Sequence, residues 1–150
     1  MGEFIRKEVI VLINSGGQRP RLAGVDLSFV NLRGLDLSYA NLEGANLNNA
    51  DLSGANLEGA NLTNANLNRA ACNGANMAYA NFSRANLTEA KFSYSNLTGA
   101  NFTRATMLGA DLVGSILRDA DLTGAKVKIE QISQAETLEN ATLPDGTKRK

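Results

Sequence analysis

Few side chains in this sequence are of the types that do chemistry. The chain has 150 residues and no histidine, so the commonest general base and a common zinc ligand are absent. Its single cysteine, Cys72, excludes an internal disulfide and a cysteine-rich metal site. We interpret Cys72 as a buried, unreactive thiol, because it occupies a position that is otherwise apolar throughout a five-residue repeat.

The carboxylates are the remaining candidates for acid–base catalysis or for a cation site. Asp119 and Asp121 are the closest pair along the repeats, whereas Asp51 and Asp111 are far apart in sequence. Neither pair comes with a histidine or with a segment that predicts a concave pocket. We therefore expect no catalytic residue, no metal site and no cofactor, and we predict that the protein is not an enzyme.

The elements that must position these side chains follow a period of five residues. From Leu22 to Val127 in steps of five, all 22 positions are apolar, and most of them are leucine. From Ala40 onward a small residue, nearly always alanine, lies two residues before each centre, and Asn or Asp precedes most centres. Neither an α-helix nor a β-strand has a period of five, so the repeat must belong to a larger unit.

Each five-residue unit has one large and one small apolar residue, which point to the same side of an extended segment. One unit cannot bury its leucine, but a stack of units can, as in a solenoid. A turn must then fall within every unit, and glycines two residues after a centre suit such a turn. Glycines at this position include Gly44, Gly54, Gly59, Gly74, Gly99, Gly109, Gly114 and Gly124.

The run ANLEG-ANLNN-ADLSG-ANLEG-ANLTN resembles the A(D/N)LXX signature of the pentapeptide-repeat family, and the match covers residues 20–127. The resemblance implies an all-β solenoid, a right-handed quadrilateral β-helix with four units per coil and about five coils. The tail Leu-x-x-Ala-x-Leu-Pro-Asp-Gly is similar to the tails of cyanobacterial members, which points to a cyanobacterial source.

Four units per coil place residues that are 20 apart above one another. Stacked asparagine side chains can hydrogen-bond from coil to coil, as they do in other β-stacks. We therefore expect three structural ladders of amide side chains. They are Asn41, Asn61, Asn81 and Asn101; Asn46, Asn66 and Asn86; and Asn56, Asn76 and Asn96.

Residues 1–19 precede the repeats and are expected to cap the first coil. Ile5, Val9 and Leu12 have helical spacing, and Gly16 and Gly17 follow as a stop signal, so we predict a short helix. The β-branched run Val9–Ile13 leaves a strand as the alternative.

Residues 128–150 are expected to form a second cap, after the repeats of residues 20–127. Ile129 and Ile132 are three residues apart, which predicts a short helix. Leu138 and Leu143 recover the five-residue spacing one residue out of register, which predicts a return across the end of the rod. The basic residues at the terminus are expected to form a frayed tail.

Outward positions of the repeats are normally polar, so apolar residues there mark candidate contacts. Leu108, Val113 and Ile116 occupy predicted outward positions in the last full coil. Either the C-terminal segment covers them, through Leu138 or Leu143, or they form a subunit or partner contact. The further candidate contact residues are Tyr39 and Tyr79, on one predicted face, and Arg84 and Arg104, stacked in adjacent coils.

These observations predict a non-catalytic structural or protein-interaction module with an unknown protein partner, either a monomer or a homodimer through a rod end. The 15 basic and 15 acidic residues balance, so direct nucleic-acid binding is not expected. The apolar run Val9–Ile13 is too short to span a membrane and lacks a signal-peptide cleavage site. We therefore expect a cytoplasmic protein without membrane contact.

The alternative function comes from the family resemblance. Quinolone-resistance pentapeptide proteins resemble DNA in shape and charge, and they bind DNA gyrase, a topoisomerase, in its place. Between Leu22 and Val127, however, nine acidic residues stand against seven basic ones, a net charge of −2. This falls far short of duplex DNA, with one charge per roughly 1.7 Å, and favours the interaction module.

Overall fold

The computed structural model describes residues 2–15 and 19–150. Two helices lie near the ends of the chain, α1 (Gly2–Asn14) and α2 (Ile129–Ile132). Between them the backbone forms parallel β-bridges that are one residue wide and separated by turns. The five-residue unit accounts for such short extended segments, because a turn interrupts the chain in every unit.

The bridges join residues that are 20 apart in sequence, so four units make one coil. The four bridges of the first coil define four faces, which we number 1 to 4 in chain order. They are Arg21–Asn41 on face 1, Asp26–Asn46 on face 2, Asn31–Asp51 on face 3 and Asp36–Asn56 on face 4. The turns between successive faces form the ridges of the stack.

Each unit ends in a β-turn that carries the chain around a ridge. In the unit centred on Leu42, the N–H of Ala45 donates to the Leu42 carbonyl at 3.0 Å, and the third turn residue, Gly44, has a φ of 65°. A left-handed third residue is a feature of type II turns and explains the glycines at this position. Tyr79 adopts the same conformation with a φ of 59°. For a residue with a side chain, this conformation costs about 1–2 kcal/mol.

The Asn or Asp that precedes each centre stabilises the turn of its own unit. The Oδ1 of Asn61 accepts the backbone N–H of Thr63 at 3.1 Å, and that of Asp36 accepts the N–H of Ser38 at 3.0 Å. A short side chain with an acceptor oxygen is needed to reach the backbone two residues further on. The preference for Asn and Asp therefore has a local cause, independent of stacking between coils.

From Ala40 to Ala125 the interior of the stack holds the large and the small residue of each unit, as the period predicts, whereas Val25 in an early unit is exposed. Ser95 and Ser115, which replace alanine at the small position, are also buried. Their hydroxyls donate to the carbonyls of Phe92 and Leu112 at 2.7 and 2.8 Å. Because these bonds satisfy the hydroxyls, the core accommodates serine in place of alanine.

Three phenylalanine rings meet in this core. Phe82 and Phe102 lie one coil apart on face 1, and their rings stack with centroids 5.0 Å apart. Phe92 belongs to face 3 and meets both rings edge-on, with centroid distances of 6.1 and 6.5 Å. Each such pair contributes about 0.5–1.5 kcal/mol beyond the burial of the rings.

Amide ladders are present on faces 2 and 4, as predicted. Each bond runs from the Nδ2 of one asparagine to the Oδ1 of the residue one coil before it, over 3.1–3.4 Å. The donor–acceptor pairs are Asn46–Asp26, Asn66–Asn46 and Asn86–Asn66 on face 2, and Asn56–Asp36, Asn76–Asn56 and Asn96–Asn76 on face 4. Both ladders thus begin on an aspartate, whose carboxylate accepts hydrogen bonds but cannot donate them.

The predicted ladder on face 1 is wrong. In the described part of the chain, the Oδ1 atoms of Asn41, Asn61, Asn81 and Asn101 accept bonds from their own turns and none from one another. Face 1 begins on Arg21, which has no acceptor, where faces 2 and 4 begin on aspartate. The Thr63 hydroxyl also donates a hydrogen bond to the Oδ1 of Asn61, at 2.7 Å.

Asn76→Ala is expected to lower the free energy of unfolding by about 1–3 kcal/mol more than Asn81→Ala does. Both side chains are half-buried, and each accepts the backbone N–H two residues further on. Asn76 has two ladder bonds in addition, one to Asn56 and one from Asn96. Urea denaturation of the two variants measures the difference, and equal losses would show that the ladder adds no stability.

Helix α1 includes the run Val9–Ile13, which decides against the strand alternative. Val9 is buried in the core, with Ile5 and Ile13 packed against it. Leu12 was expected on this buried side and is instead exposed. Around the helix axis it lies roughly 60° from Val9, whereas Ile5 and Ile13 lie roughly 40° away.

The side chain of Arg6 joins α1 to the first coil. It donates to the backbone carbonyls of Asn31 and Arg33, which belong to face 3. These bonds attach the helix to the first coil and satisfy two backbone carbonyls there. Gly16 and Gly17, the predicted stop signal, lie outside the described residues.

Helix α2 interrupts the repeats after Val127, as the isoleucine spacing predicts. Ile132 is buried against the core. The side-chain Nε2 of Gln131 donates to the carbonyls of Met107 and Ala110 at 2.8 and 2.9 Å. The amide of Gln131 thus satisfies carbonyls at the edge of the stack, where the five-residue pattern has stopped.

After α2 the chain rejoins the stack one residue out of phase. Ile116 and Asp121 bridge to Thr137 and Thr142, which are 21 residues further on. The extra residue is accommodated by the helix and matches the shift seen in the sequence.

The basic tail differs from the frayed segment that we expected. Lys148 forms an antiparallel bridge to Thr142, and the N–H of Arg149 donates to the Ala141 carbonyl at 2.8 Å. The turn that returns the tail is closed by the Asp145 carboxylate, which accepts the N–H and the hydroxyl of Thr147. These bonds hold the terminal residues against the last coil.

Candidate functional site

Cys72 is a centre residue of face 3 and is completely buried. Burial among apolar side chains raises the pKa of its thiol, because the thiolate would lose its hydration. A protonated thiol without solvent access is not a nucleophile. The sequence interpretation of an unreactive cysteine therefore holds.

The carboxylates do not converge on a site. Asp51 and Asp111 share the column of face 3 but are three coils apart. Asp51 pairs with Arg33 at 3.3 Å, and Asp111 accepts the hydroxyl of Ser93 at 2.7 Å. Among the described residues, no group of three or more His, Cys, Asp or Glu side chains could hold a metal ion.

The outward apolar residues of the last full coil lie on successive faces. Leu108 follows the face 2 centre and Val113 the face 3 centre, while Ile116 lies in the bridged column of face 4. Leu108 and Val113 are 46% and 38% exposed, and Ile116 is half-buried. Leu138 and Leu143 pack against the core and do not cover Leu108 and Val113, which stay exposed.

Tyr39 and Tyr79, which the sequence places on one face, lie on the ridge between faces 4 and 1, two coils apart. Both are exposed third residues of turns. Each ring lies against the glycine one coil further on: a Cβ added to Gly59 would clash with the Tyr39 ring, and one added to Gly99 would meet Tyr79 at 2.5 Å. The missing side chain of the glycine thus makes room for the ring.

Tyr94 repeats this arrangement on the opposite ridge of face 4, between faces 3 and 4. It is 73% exposed, and its ring lies against Gly114. Sequence reasoning missed this residue. The signal was present, since each of the three tyrosines is followed by a glycine 20 residues later.

Tyr79 and Tyr94 border a part of face 4 that carries no charge. Between them lie the ladder residues Asn76 and Asn96 and the small side chains of the turns. We name this surface the tyrosine-bordered face; it consists of Asn76, Ala78, Tyr79, Tyr94, Asn96 and Thr98. Val113 and Ile116 continue it towards the C-terminal end of the stack.

Arg84 and Arg104 are exposed on another ridge, between faces 1 and 2, in adjacent coils. They occupy one column of turn positions, which lies apart from the tyrosine-bordered face. The aliphatic stem of Arg104 lies over Gly124, where an added Cβ would meet its Cγ at 3.4 Å.

Gly99→Ala is expected to destabilise the protein by about 1–3 kcal/mol more than Gly74→Ala does. Both glycines have a φ of 65°, so the backbone strain of an alanine is the same at both sites. An added Cβ meets nothing within 4 Å at Gly74, whereas at Gly99 it meets the Tyr79 ring. Thermal unfolding of both variants measures the difference.

The Gly99→Ala comparison has an internal control in Tyr79→Ala. In that background the ring is gone, and Gly99→Ala should cost no more than Gly74→Ala. If Gly99→Ala still destabilised the Tyr79→Ala background more than Gly74→Ala does, the packing of Tyr79 on Gly99 would be contradicted.

Five-residue units, 20-residue coils and a closed apolar core define a repeat protein of the solenoid class. The chain belongs to the pentapeptide repeat family. The family model for pentapeptide repeats matches it with eight copies, over residues 26–64, 55–93, 65–104 and 95–128. Proteins of this family fold as right-handed quadrilateral β-helices.

Solved structures of the same family resemble this chain. Rfr23, a pentapeptide repeat protein from the cyanobacterium Cyanothece 51142, is 22% identical over 87% of this chain and 97% of its own, with a TM-score of 0.54. HetL, a pentapeptide repeat protein involved in heterocyst differentiation regulation from the cyanobacterium Nostoc sp. strain PCC 7120, is 29% identical over 88% of this chain and 73% of its own, with a TM-score of 0.35.

A further similar structure is QnrB1, a plasmid-mediated fluoroquinolone resistance protein. It is 20% identical over 85% of this chain and 79% of its own, with a TM-score of 0.43. No curated protein matches the chain. Neither helix in the described part of the chain is long and apolar enough to cross a membrane.

Proposed function

We propose that the protein is a non-catalytic interaction module that binds a protein partner through the tyrosine-bordered face. The observation that carries this proposal is the placement of two exposed tyrosines on opposite ridges of one uncharged face. Tyrosine is enriched among the residues that dominate binding energy, and charged residues are depleted at interface centres. At the same height, the ridge between faces 2 and 3 carries Arg69 and Glu89, which pair with each other at 2.6 Å.

The rigidity of this face supports the proposal. Asn76 and Asn96 are held by ladder bonds, and the two tyrosine rings rest on glycines. A surface that is already ordered loses little conformational freedom when a partner binds, so more of the contact energy appears as affinity.

The proposed scaffold is a right-handed coil of about five turns, with α1 and α2 as caps. The 20-residue spacing of the bridges and the fold of the family support the coil. The burial of Val9 and Ile132, one in each helix, supports the role of the helices at the two ends. Covering both ends shields the outermost core residues and backbone groups from water.

The alternative of a DNA mimic that binds gyrase is not favoured by the charges. Several acidic residues are paired with basic ones, in the ion pairs Arg33–Asp51, Arg69–Glu89 and Arg118–Glu139. A surface neutralised in this way does not reproduce the field of a duplex. We expect the purified protein to leave DNA supercoiling by gyrase unchanged, and concentration-dependent inhibition would contradict this expectation.

Photo-crosslinking tests the proposed interface. Benzoylphenylalanine would replace Tyr94 in one variant and Phe29 in another. Both positions are aromatic third residues of turns and are 73% and 71% exposed, but Phe29 lies on the ridge between faces 2 and 3. In a lysate of the source organism, we expect a protein adduct from position 94 that Tyr79→Ala abolishes.

The Phe29 variant is the matched control of this experiment. The same adduct from both positions, or no adduct from position 94, would overturn the proposed interface. An adduct with the mass of two copies of this chain would overturn the binding of a different protein and indicate a homodimer.

A further inference from the structure

A surface concavity of about 410 Å³ lies near the N-terminal end of the stack, where face 1 meets the ridge of Tyr39. Arg19 and Arg21 contribute the cationic side chains of its lining, and Asn41 and Asn61 contribute amides. The volume is within the range of small-molecule sites. The concavity lies outside the tyrosine-bordered face, so a ligand site there is independent of the proposed protein interface.

The amides in this concavity have unused donors. The Oδ1 of Asn41 accepts the N–H of Glu43 at 3.1 Å, and the Oδ1 of Asn61 accepts both the N–H and the hydroxyl of Thr63. These bonds fix which end of each amide faces its own turn. On faces 2 and 4 the Nδ2 groups donate along the ladders, but within the described residues the Nδ2 groups of Asn41 and Asn61 have no such acceptor.

The cause is the residue at the foot of the column. Arg21 occupies the place that Asp26 and Asp36 have on the other two faces, so Asn41 meets a donor where Asn46 and Asn56 meet a carboxylate. Arginine has no acceptor atom. Arg21 in the first coil thus leaves the Nδ2 of Asn41 without an acceptor at the foot of the column.

The two arginines in the lining add positive charge that the lining does not neutralise. The guanidinium of Arg19 lies over the Tyr39 ring, 5.0 Å from its centroid, a cation–π contact that restrains it. The Tyr39 hydroxyl donates to Glu58 at 3.3 Å, which positions the ring. No carboxylate is among the described residues that line the concavity.

We propose that this concavity binds a small molecule through a phosphate or carboxylate group. Guanidinium and amide N–H groups are donors suited to oxygen atoms, and an oxyanion supplies several acceptors at once. The concavity is larger than one oxyanion, so the remainder of the ligand lies beside the Tyr39 ring. Phosphate and carboxylate share this chemistry, and their relative affinities for the site distinguish them.

Titrations with phenyl phosphate and benzoate, followed by NMR of side-chain N–H groups, test this site. The two probes carry a phosphate and a carboxylate on the same ring. Saturable shifts of the Asn41 and Asn61 amide resonances are expected with at least one probe, and the tighter one identifies the preferred group. Arg21→Gln should weaken binding about tenfold or more, since charge-assisted hydrogen bonds are lost.

Arg104→Gln is the matched control, because Arg104 is also an exposed arginine but lies on the ridge between faces 1 and 2. It should leave the affinity unchanged. Arg19→Gln is a second test variant at an exposed position, and it should weaken binding even if Arg21→Gln perturbs the first coil. Shifts that do not saturate with either probe, or equal losses of affinity in Arg21→Gln and Arg104→Gln, would overturn the proposed site.

Discussion

Leu67→Lys is expected to unfold the middle of the coil stack, whereas Asn68→Lys, one residue further on, should be nearly silent. Leu67 is a completely buried centre of face 2, and Asn68 is a half-buried turn residue. Lysine at position 67 loses about 1.5–3 kcal/mol of apolar burial and also places an unpaired charge in the core. The total loss should exceed about 4 kcal/mol.

Thermal unfolding followed by circular dichroism measures this difference. The Tm of Leu67→Lys should fall by roughly 10 °C or more, and that of Asn68→Lys by less than about 2 °C. Each coil contacts only its neighbours, so hydrogen exchange should rise first in the coils around position 67. Equal melting temperatures would contradict the assignment of inward and outward positions.

Phe102→Ala is expected to lower the free energy of unfolding by about 3–5 kcal/mol, the second large effect. The Phe102 ring is completely buried, stacks on Phe82 and meets Phe92 edge-on. Truncation leaves a cavity beside the Phe82 and Phe92 rings, which the surrounding coils hold in place. Because the narrow interior cannot collapse without shifting whole coils, little of the loss is recovered.

Phe102→Leu is the control for this prediction. The same column carries Leu62 and Leu122, so the backbone of face 1 accommodates leucine at a centre. The free energy of unfolding should fall by less than about 2 kcal/mol, because only the ring contacts and part of the apolar burial are lost. Urea denaturation measures both variants, and equal losses would mean that the phenylalanine contacts, rather than the filled volume, account for the stability.

Part of this arrangement was predictable because it depends on one unit at a time. The buried centres, the small residue beside each of them and the left-handed glycines all follow from the five-residue period. The failure of the face 1 ladder was not predictable in this way, and its first bond is missing because Arg21 stands at the foot of the column. A rule based on one residue type could not distinguish Asn41 from Asn46. Their partners one coil earlier, Arg21 and Asp26, carry opposite charges.

The candidate contact residues were predictable as outward positions but not as a surface. Tyr79, Leu108, Val113 and Ile116 could all be placed outside the core. Which of them share a face depends on the number of units per coil, and the residue period alone does not contain that number. The coil places Ile116 on the face of Tyr79 and Leu108 elsewhere.

The sequence by itself determined the repeat, the buried centre of each unit, the short helix after the repeats and the absence of histidine side chains. These follow from side-chain size and polarity at fixed spacing, which is local information. Tertiary structure alone decided that Leu12 is exposed, that Tyr94 joins Tyr79 around one uncharged face, and that face 1 keeps unused amide donors. Each of these depends on a neighbour about 20 residues away or on the angle at which a helix meets the stack, and only the folded chain brings such groups together.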